Sequence, residues 1–211
     1  MVTSHVLTWE VTESQGYETS WIEFRGTTLQ AHGRAVGTRP EVYWLSYDLD
    51  TGEDFVTREL HVRAATAMGS RELRLLHDGH GRWTANKEHV PEVDGALDCD
   101  LGRCPLTNTM PVLRHGLQLA PGERTFLTAW VSVPDLTVHA SRQTYTHLAR
   151  TESGARIRFA SGDFRRDIEF DAEGLVVDYP GLAHRHAPAA TTGDHQRSIG
   201  NGVRRGRTEG G

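Results

Sequence analysis

Turn-forming residues interrupt this chain about every ten residues, and that spacing constrains its fold more than any other feature. Ser14-Gln15-Gly16, Asp50-Thr51-Gly52-Glu53, Asp78-Gly79, Ser161-Gly162-Asp163 and Asp171-Ala172-Glu173-Gly174 each separate runs of aromatic, β-branched and alternating polar residues. In the run from Val42 to Leu49, Tyr43, Leu45, Tyr47 and Leu49 fall on one face, the period of two that a half-buried strand imposes. The run Ser20–Arg25 breaks at Gly26 and resumes over Thr28–Val36, which predicts a hairpin. About ten or more short strands follow, the pattern of an antiparallel sandwich or barrel. The expected fold class is therefore all-β and mainly antiparallel.

A chain of 211 residues can bury one sizeable core, and residues 1–186 are expected to form a single β domain. Beyond Arg185 large apolar residues almost vanish, so residues 187–211 are expected to be a disordered tail. A net charge of −5 argues against binding nucleic acid through overall charge. The first ten residues lack a secretory signal, and no stretch approaches the ~18 apolar residues of a membrane span. A soluble, cytoplasmic protein is expected. Cys99 and Cys104 could close a short disulfide loop, but in that compartment they are expected to be reduced thiols, and no His or Cys flanks them at zinc spacing.

Two arginines break the strand pattern. Arg58 shares a parity with Val56, Leu60, Val62 and Ala64, and Arg166 with Phe164, Ile168 and Phe170. A buried guanidinium is costly unless acids or carbonyls meet it, so each arginine either lines a cavity or pairs with a carboxylate. The candidate acids lie in residues 94–114, where three aspartates, Asn108, two threonines, Arg114 and two prolines crowd together. If that stretch is extended, Asp98 and Asp100 are neighbours on one face and Leu97, Cys99 and Leu101 occupy the other. Pro105, Pro111 and Pro121 predict a loop there, with an edge strand about Val112-Leu113 and no helix.

The run Leu97-Asp98-Cys99-Asp100-Leu101, with Pro105, Thr107-Asn108-Thr109-Met110-Pro111-Val112 and Arg114, resembles the signature of the bacterial "Putative glycolipid-binding" family, formerly a domain of unknown function. Trp9, Glu18, Gly33, Thr57-Arg58, Gly81-Arg82-Trp83, Val131 with Pro134, Gln143-Thr144-Tyr145, Phe164 and Gly174–Leu182 with Arg185 are similar to its pattern as well, over about residues 6 to 186. The resemblance implies a curled antiparallel sheet forming a half-barrel or open barrel, like lipid-carrier folds whose concave face holds acyl chains.

The functional expectation is binding of an amphipathic small molecule, such as a glycolipid, on that concave face. Candidate ligand-binding residues are Arg58, Asp98, Asp100, Asn108, Arg114, Tyr145, Arg166 and Tyr179. Asp98 and Asp100 are either an acid/base pair or members of an ionic network with Arg58, Arg114 or Arg166. Asn108 with its flanking threonines either binds sugar hydroxyls or satisfies loop backbone, and Tyr145 and Trp83 either stack on a sugar or belong to the core. No nucleophile elbow, phosphate loop or dinucleotide fingerprint is present, so no catalytic residue, cofactor or metal is assigned. His77 with His80 and His184 with His186 lack a third ligand and are expected at the surface or in the tail. Two alternatives stay open: an enzyme acting on a sugar-like substrate through Asp98, Asp100, Arg58 and Asn108, and a structural module pairing through an exposed sheet edge.

Overall fold

A computed structural model describes residues 2–187; the expectation of a disordered tail falls, apart from Ala187, outside the described residues. The strands are β1 (Val2–Val11), β2 (Gly16–Arg25), β3 (Thr28–Gly37), β4 (Tyr43–Thr51), β5 (Thr57–Thr66), β6 (Gly69–His77), β7 (Trp83–Ala85) and β8 (Glu88–His89). A second series follows: β9 (Asp98–Leu101), β10 (Glu123–Val131), β11 (Val138–Arg150), β12 (Gly154–Ser161), β13 (Phe164–Asp171), β14 (Val176–Tyr179) and β15 (Ala183–Arg185). One α-helix, α1 (Thr109–Arg114), precedes β10. No helix among the described residues is long and apolar enough to cross a membrane.

All fifteen strands form one curled sheet in the order β8-β7-β6-β5-β4-β3-β2-β1-β15-β14-β13-β12-β11-β10-β9. Its ladders are antiparallel except β9 with β10, and the sheet does not close into a barrel. Two meanders, β1–β8 and β10–β15, are joined where β1 meets β15, with Trp9 opposite Arg185 and Glu10 opposite His184. The chain therefore leaves the sheet at one edge, β8, and re-enters at the other, β9. The intervening residues, together with β9 and the turns that lead on to β10, form a crossing segment through the hollow of the curl. It holds the most buried stretch of the described residues: Ala96, Asp98, Cys99, Leu101, Cys104, Leu106, Thr107, Thr109, Met110 and Val112 are all at most 2% exposed.

That crossing segment supplies the centre of the core. Val93 to Met110 pack with Trp9, Leu29, Leu45, Leu60, Leu75 and Trp83 from β1–β7, while Val112 and Leu117 pack with Tyr145, Ile157, Ile168 and Phe170 from β11–β13. A clasp at Thr57 draws the β9 edge onto β5. The Thr57 N–H donates to the Leu97 carbonyl at 3.0 Å, and its Oγ1 accepts from the Cys99 N–H at 3.1 Å. No strand ladder joins the two edges among the described residues, so the curl is held mainly by packing on the crossing segment.

Several expectations are corrected. Arg58 is not on the buried face: β4 and β5 slip register between Asp50 and Thr51, so Thr51 faces Thr57 and Arg58 is the extra residue of a β-bulge. Thr57 turns inward and Arg58 is exposed beside Gly52 and Gly79. Arg166 keeps the expected parity but is exposed, because the start of β13 projects beyond the core. Residues 105–114 are helical despite their prolines, and the edge strand expected at Val112-Leu113 is absent. Pro105 opens a 3-10 turn and Pro111 sits in the first turn of α1, where a missing N–H removes no intrahelical bond. His77 is buried rather than superficial, stacked on Trp83 with ring centroids 4.7 Å apart.

Candidate functional site

The crossing segment places its two neighbouring carboxyl groups in different surroundings. Asp98, fully buried, is gripped by the fork of Arg114: Nη1 donates to Oδ2 at 2.7 Å and Nη2 to Oδ1. The Arg114 Nε–H donates to the carbonyl of Asp54 at 2.9 Å, and Nη2 also reaches that of Phe55 at 3.1 Å. Asp54 and Phe55 both have positive φ, which bends the turn so that its carbonyls face the guanidinium. Burial pushes the Asp98 carboxyl up and Arg114 opposes this. The pair joins α1 to the turn before β5 and leaves neither partner free for a ligand.

Asp100, two residues on, meets no cation among the described residues. Its Oδ1 accepts from the Thr107 hydroxyl at 2.9 Å and its Oδ2 from Gln143 Nε2 at 2.7 Å. Burial holds its carboxyl above the usual carboxylate range; the two hydrogen bonds oppose that and the nearby Asp98 adds to it. Gln143 and Tyr145 share the inner face of β11. The Tyr145 hydroxyl donates to Asn108 Oδ1 at 2.8 Å, while Asn108 Nδ2 donates to the Pro105 carbonyl at 3.3 Å. Asn108 is thus held by its own turn and by the opposite wall. The ring of Tyr145 stacks on Phe126 and meets Phe159 edge-on.

Asp100, Asn108, Gln143 and Tyr179 form the polar side of a cavity of about 510 Å³ whose apolar side is Trp130, Phe159, Phe164 and Leu182. Burial raises the Tyr179 phenol well above its ordinary pKa, with Asp100 adding to the shift. The mouth lies at the end of the curl where β9, β10, β12 and β14 finish and where the β1–β2 turn docks, the Glu13 N–H on the Leu182 carbonyl. Glu13 and Arg103 form an ion pair at 3.5 Å there. Beside the rim, Arg166 lies 4.6 Å over the Phe164 ring and donates from Nε to the Pro180 carbonyl.

Of the eight candidates read from the sequence, Asp100, Asn108 and Tyr179 line this cavity, Tyr145 braces Asn108 from behind, and Arg166 stands at the rim. Asp98 and Arg114 pair elsewhere along the crossing segment, and Arg58 is on the outside. Trp83 is core, its indole N–H given to the Ala96 carbonyl. The grouping of Arg58 and Asp98 with Asp100 and Asn108 is therefore not assembled.

Sequence reasoning assigns no site role to Glu18 or Gln143. Glu18 is fully buried on β2, where its Oε1 accepts from the Tyr47 hydroxyl at 2.5 Å and the Ser20 hydroxyl at 2.9 Å. Its Oε2 has no hydrogen-bond partner. Burial, with no cation to answer it, pushes the carboxyl up to about 7. Tyr47 reaches it by lying over Gly33, since Ser20, Gly33 and Tyr47 are cross-strand neighbours and a Cβ at position 33 would strike the phenol ring. The parity of Gly16, Glu18, Ser20 and Ile22 is the signal that places Glu18 inside. For Gln143 it is the parity with Tyr145.

An open, curled antiparallel sheet wound on its own crossing segment, with a half-enclosed cavity at one end, is the class of fold these residues define. The chain belongs to the family described as "Putative glycolipid-binding", which it matches over residues 6–185. It is similar to a DUF1089 family protein from Pseudomonas aeruginosa whose crystal structure has been determined, with 29% sequence identity and a TM-score of 0.67 over 80% of this chain and 92% of that one. No curated protein matches it.

Proposed function

We propose that the protein holds an amphipathic small molecule, a glycolipid in the first instance, with its hydroxyl-bearing head against Asp100, Asn108, Gln143 and Tyr179. The observation that carries this reading is Asp100: a largely buried carboxyl group without a cation, on the polar side of a cavity whose other wall is aromatic. Sugars present just such a pair of surfaces, hydroxyl donors on the edge and C–H groups on the face. The volume suits a sugar-sized head with the first part of a chain, and the rest of the chain leaves through the mouth. The free, buried thiols Cys99 and Cys104 support a reducing, cytoplasmic setting. A hydrolytic reading would need a second carboxyl group beside Asp100, but Asp98 is held by Arg114 and Glu13, at the mouth, is paired with Arg103.

Native mass spectrometry of the protein purified from its own host tests the proposal directly. A bound mass that fragments to a sugar and an acyl or alkyl chain is expected, together with calorimetric binding of octyl glucoside that Asp100→Asn weakens about tenfold, the loss of one charge-assisted hydrogen bond. Empty protein that also ignores octyl glucoside would sink it.

A further inference from the structure

The cavity mouth shares its end of the sheet with half of the exposed large apolar side chains among the described residues. Because adjacent strands alternate in direction, the β1–β2 turn, the β3–β4 loop and the β5–β6 and β12–β13 turns all lie at that end. Val42 and Met68, 69% and 89% exposed, are at two of these tips, and Phe164 leaves a third at 43%. Between them on the outer face, Tyr17, Val36 and Trp44 are cross-strand neighbours, about half exposed, flanking an apolar groove of about 670 Å³. At the opposite end the hairpin turns around Gly26, Asp54, Gly79, Glu152 and Glu173 carry none; the exposed apolar residues there, Val2, Leu97, Leu119 and Leu148, lie outside these turns.

Charge follows the same division. The whole chain is net −5, yet Arg34, Arg39, Arg71, Arg142, Arg165 and Arg166 are exposed at or near the mouth end and make no ion pair among the described residues. The exposed acids there without such a pair are Glu10, Glu41, Asp135 and Asp163. An apolar, aromatic end with surplus positive charge on an otherwise acidic protein matches a lipid–water interface of negative surface charge.

We infer that this end of the sheet docks on an anionic lipid bilayer, with Val42 and Met68 entering the headgroup region and the unpaired arginines meeting lipid phosphates. The cavity mouth then opens toward the bilayer. Such docking goes beyond ligand holding and needs no ligand in the cavity.

The test is sedimentation of the full chain with vesicles of phosphatidylcholine alone and of phosphatidylcholine with roughly one third phosphatidylglycerol. Binding to the anionic vesicles only, weakening as salt is raised, is expected. Arg39→Glu and Arg71→Glu are each expected to cost about fivefold or more. Val42→Asp with Met68→Asp abolishes sedimentation while leaving octyl glucoside binding intact, since neither side chain lines the cavity. Absence of binding to both vesicle types, equal binding to both, or binding that survives the Val42/Met68 double change overturns the inference. So does self-association in vesicle-free solution that Trp44→Ser abolishes, which would mark the patch as a protein interface. Vesicle binding without glycoside binding would count against the cavity reading alone and leave the docking surface standing.

Discussion

Replacing Glu18 by glutamine should remove a pH dependence that the wild-type fold carries in its centre. The unfolded chain releases the Glu18 proton near the ordinary value of 4.5, whereas the folded chain holds it up to about 7. Between those values the folded state binds more protons than the unfolded state, so this residue makes stability fall as pH rises through the window. Below pH 4.5 the loss is absent; above 7 it is complete. A separation of about 2.5 pH units corresponds to about 3 kcal/mol, undiluted by solvent because the side chain is fully buried. The amide of the Glu18→Gln variant would retain an oxygen for the Tyr47 and Ser20 hydroxyls and has no charge to desolvate. Urea unfolding of both proteins from pH 4 to pH 8 reads the difference: the variant gains on the wild type by about 3 kcal/mol across that range. A gap that stays flat would refute the assignment of a protonatable, cation-free Glu18, whatever the absolute stabilities.

Three other outcomes follow from contacts described above. Arg114→Ala leaves Asp98 charged and buried, and should cost about 3–5 kcal/mol, read as a fall in Tm of roughly 6–20 °C; adding Asp98→Asn should recover part of it. Gly33→Ala drives a methyl group into the Tyr47 ring and should cost about 1–3 kcal/mol by thermal melting, whereas Gly26→Ala, in open space at a positive φ, should cost about 1 kcal/mol. Asp100→Asn should leave Tm unchanged or raise it, since burial already opposes the charge, while weakening glycoside binding by calorimetry; a parallel loss of stability and binding would make Asp100 a structural residue instead.

Much of the sheet is legible in the sequence because hairpins are local. Asp78-Gly79, Ser161-Gly162-Asp163 and Asp171–Gly174 each close the strand pair their composition predicts, and the alternation of Tyr43, Leu45, Tyr47 and Leu49 is the burial pattern of β4. What a period of two cannot reveal is a slip in it. The bulge before Leu60 inverts the side on which Arg58 lies, so an arginine whose parity reads as buried is on the outside. The crossing segment escapes pattern reading for a related reason: prolines argue against a long helix, but one short enough to have them only in its first turn is exempt from that rule. Nor can strand pattern say which arginine takes which acid. Asp98 and Asp100 look equivalent in sequence, and only the path of the chain across the sheet gives Arg114 to one and leaves the other facing the cavity.

A closed barrel has its internal width set by strand number and shear, so changing its capacity means changing the hydrogen-bonded wall. Here the wall ends in two edges, of which β9 is clasped onto β5 at Thr57, and its curvature is taken from the crossing segment it is packed on. Capacity becomes a property of one stretch between β8 and β10. Longer or shorter versions of that stretch, or bulkier and smaller residues at Leu101 and Cys104, would rescale the space inside without disturbing a single strand pairing in either meander. Such a chain can have its cavity resized by editing its spindle alone.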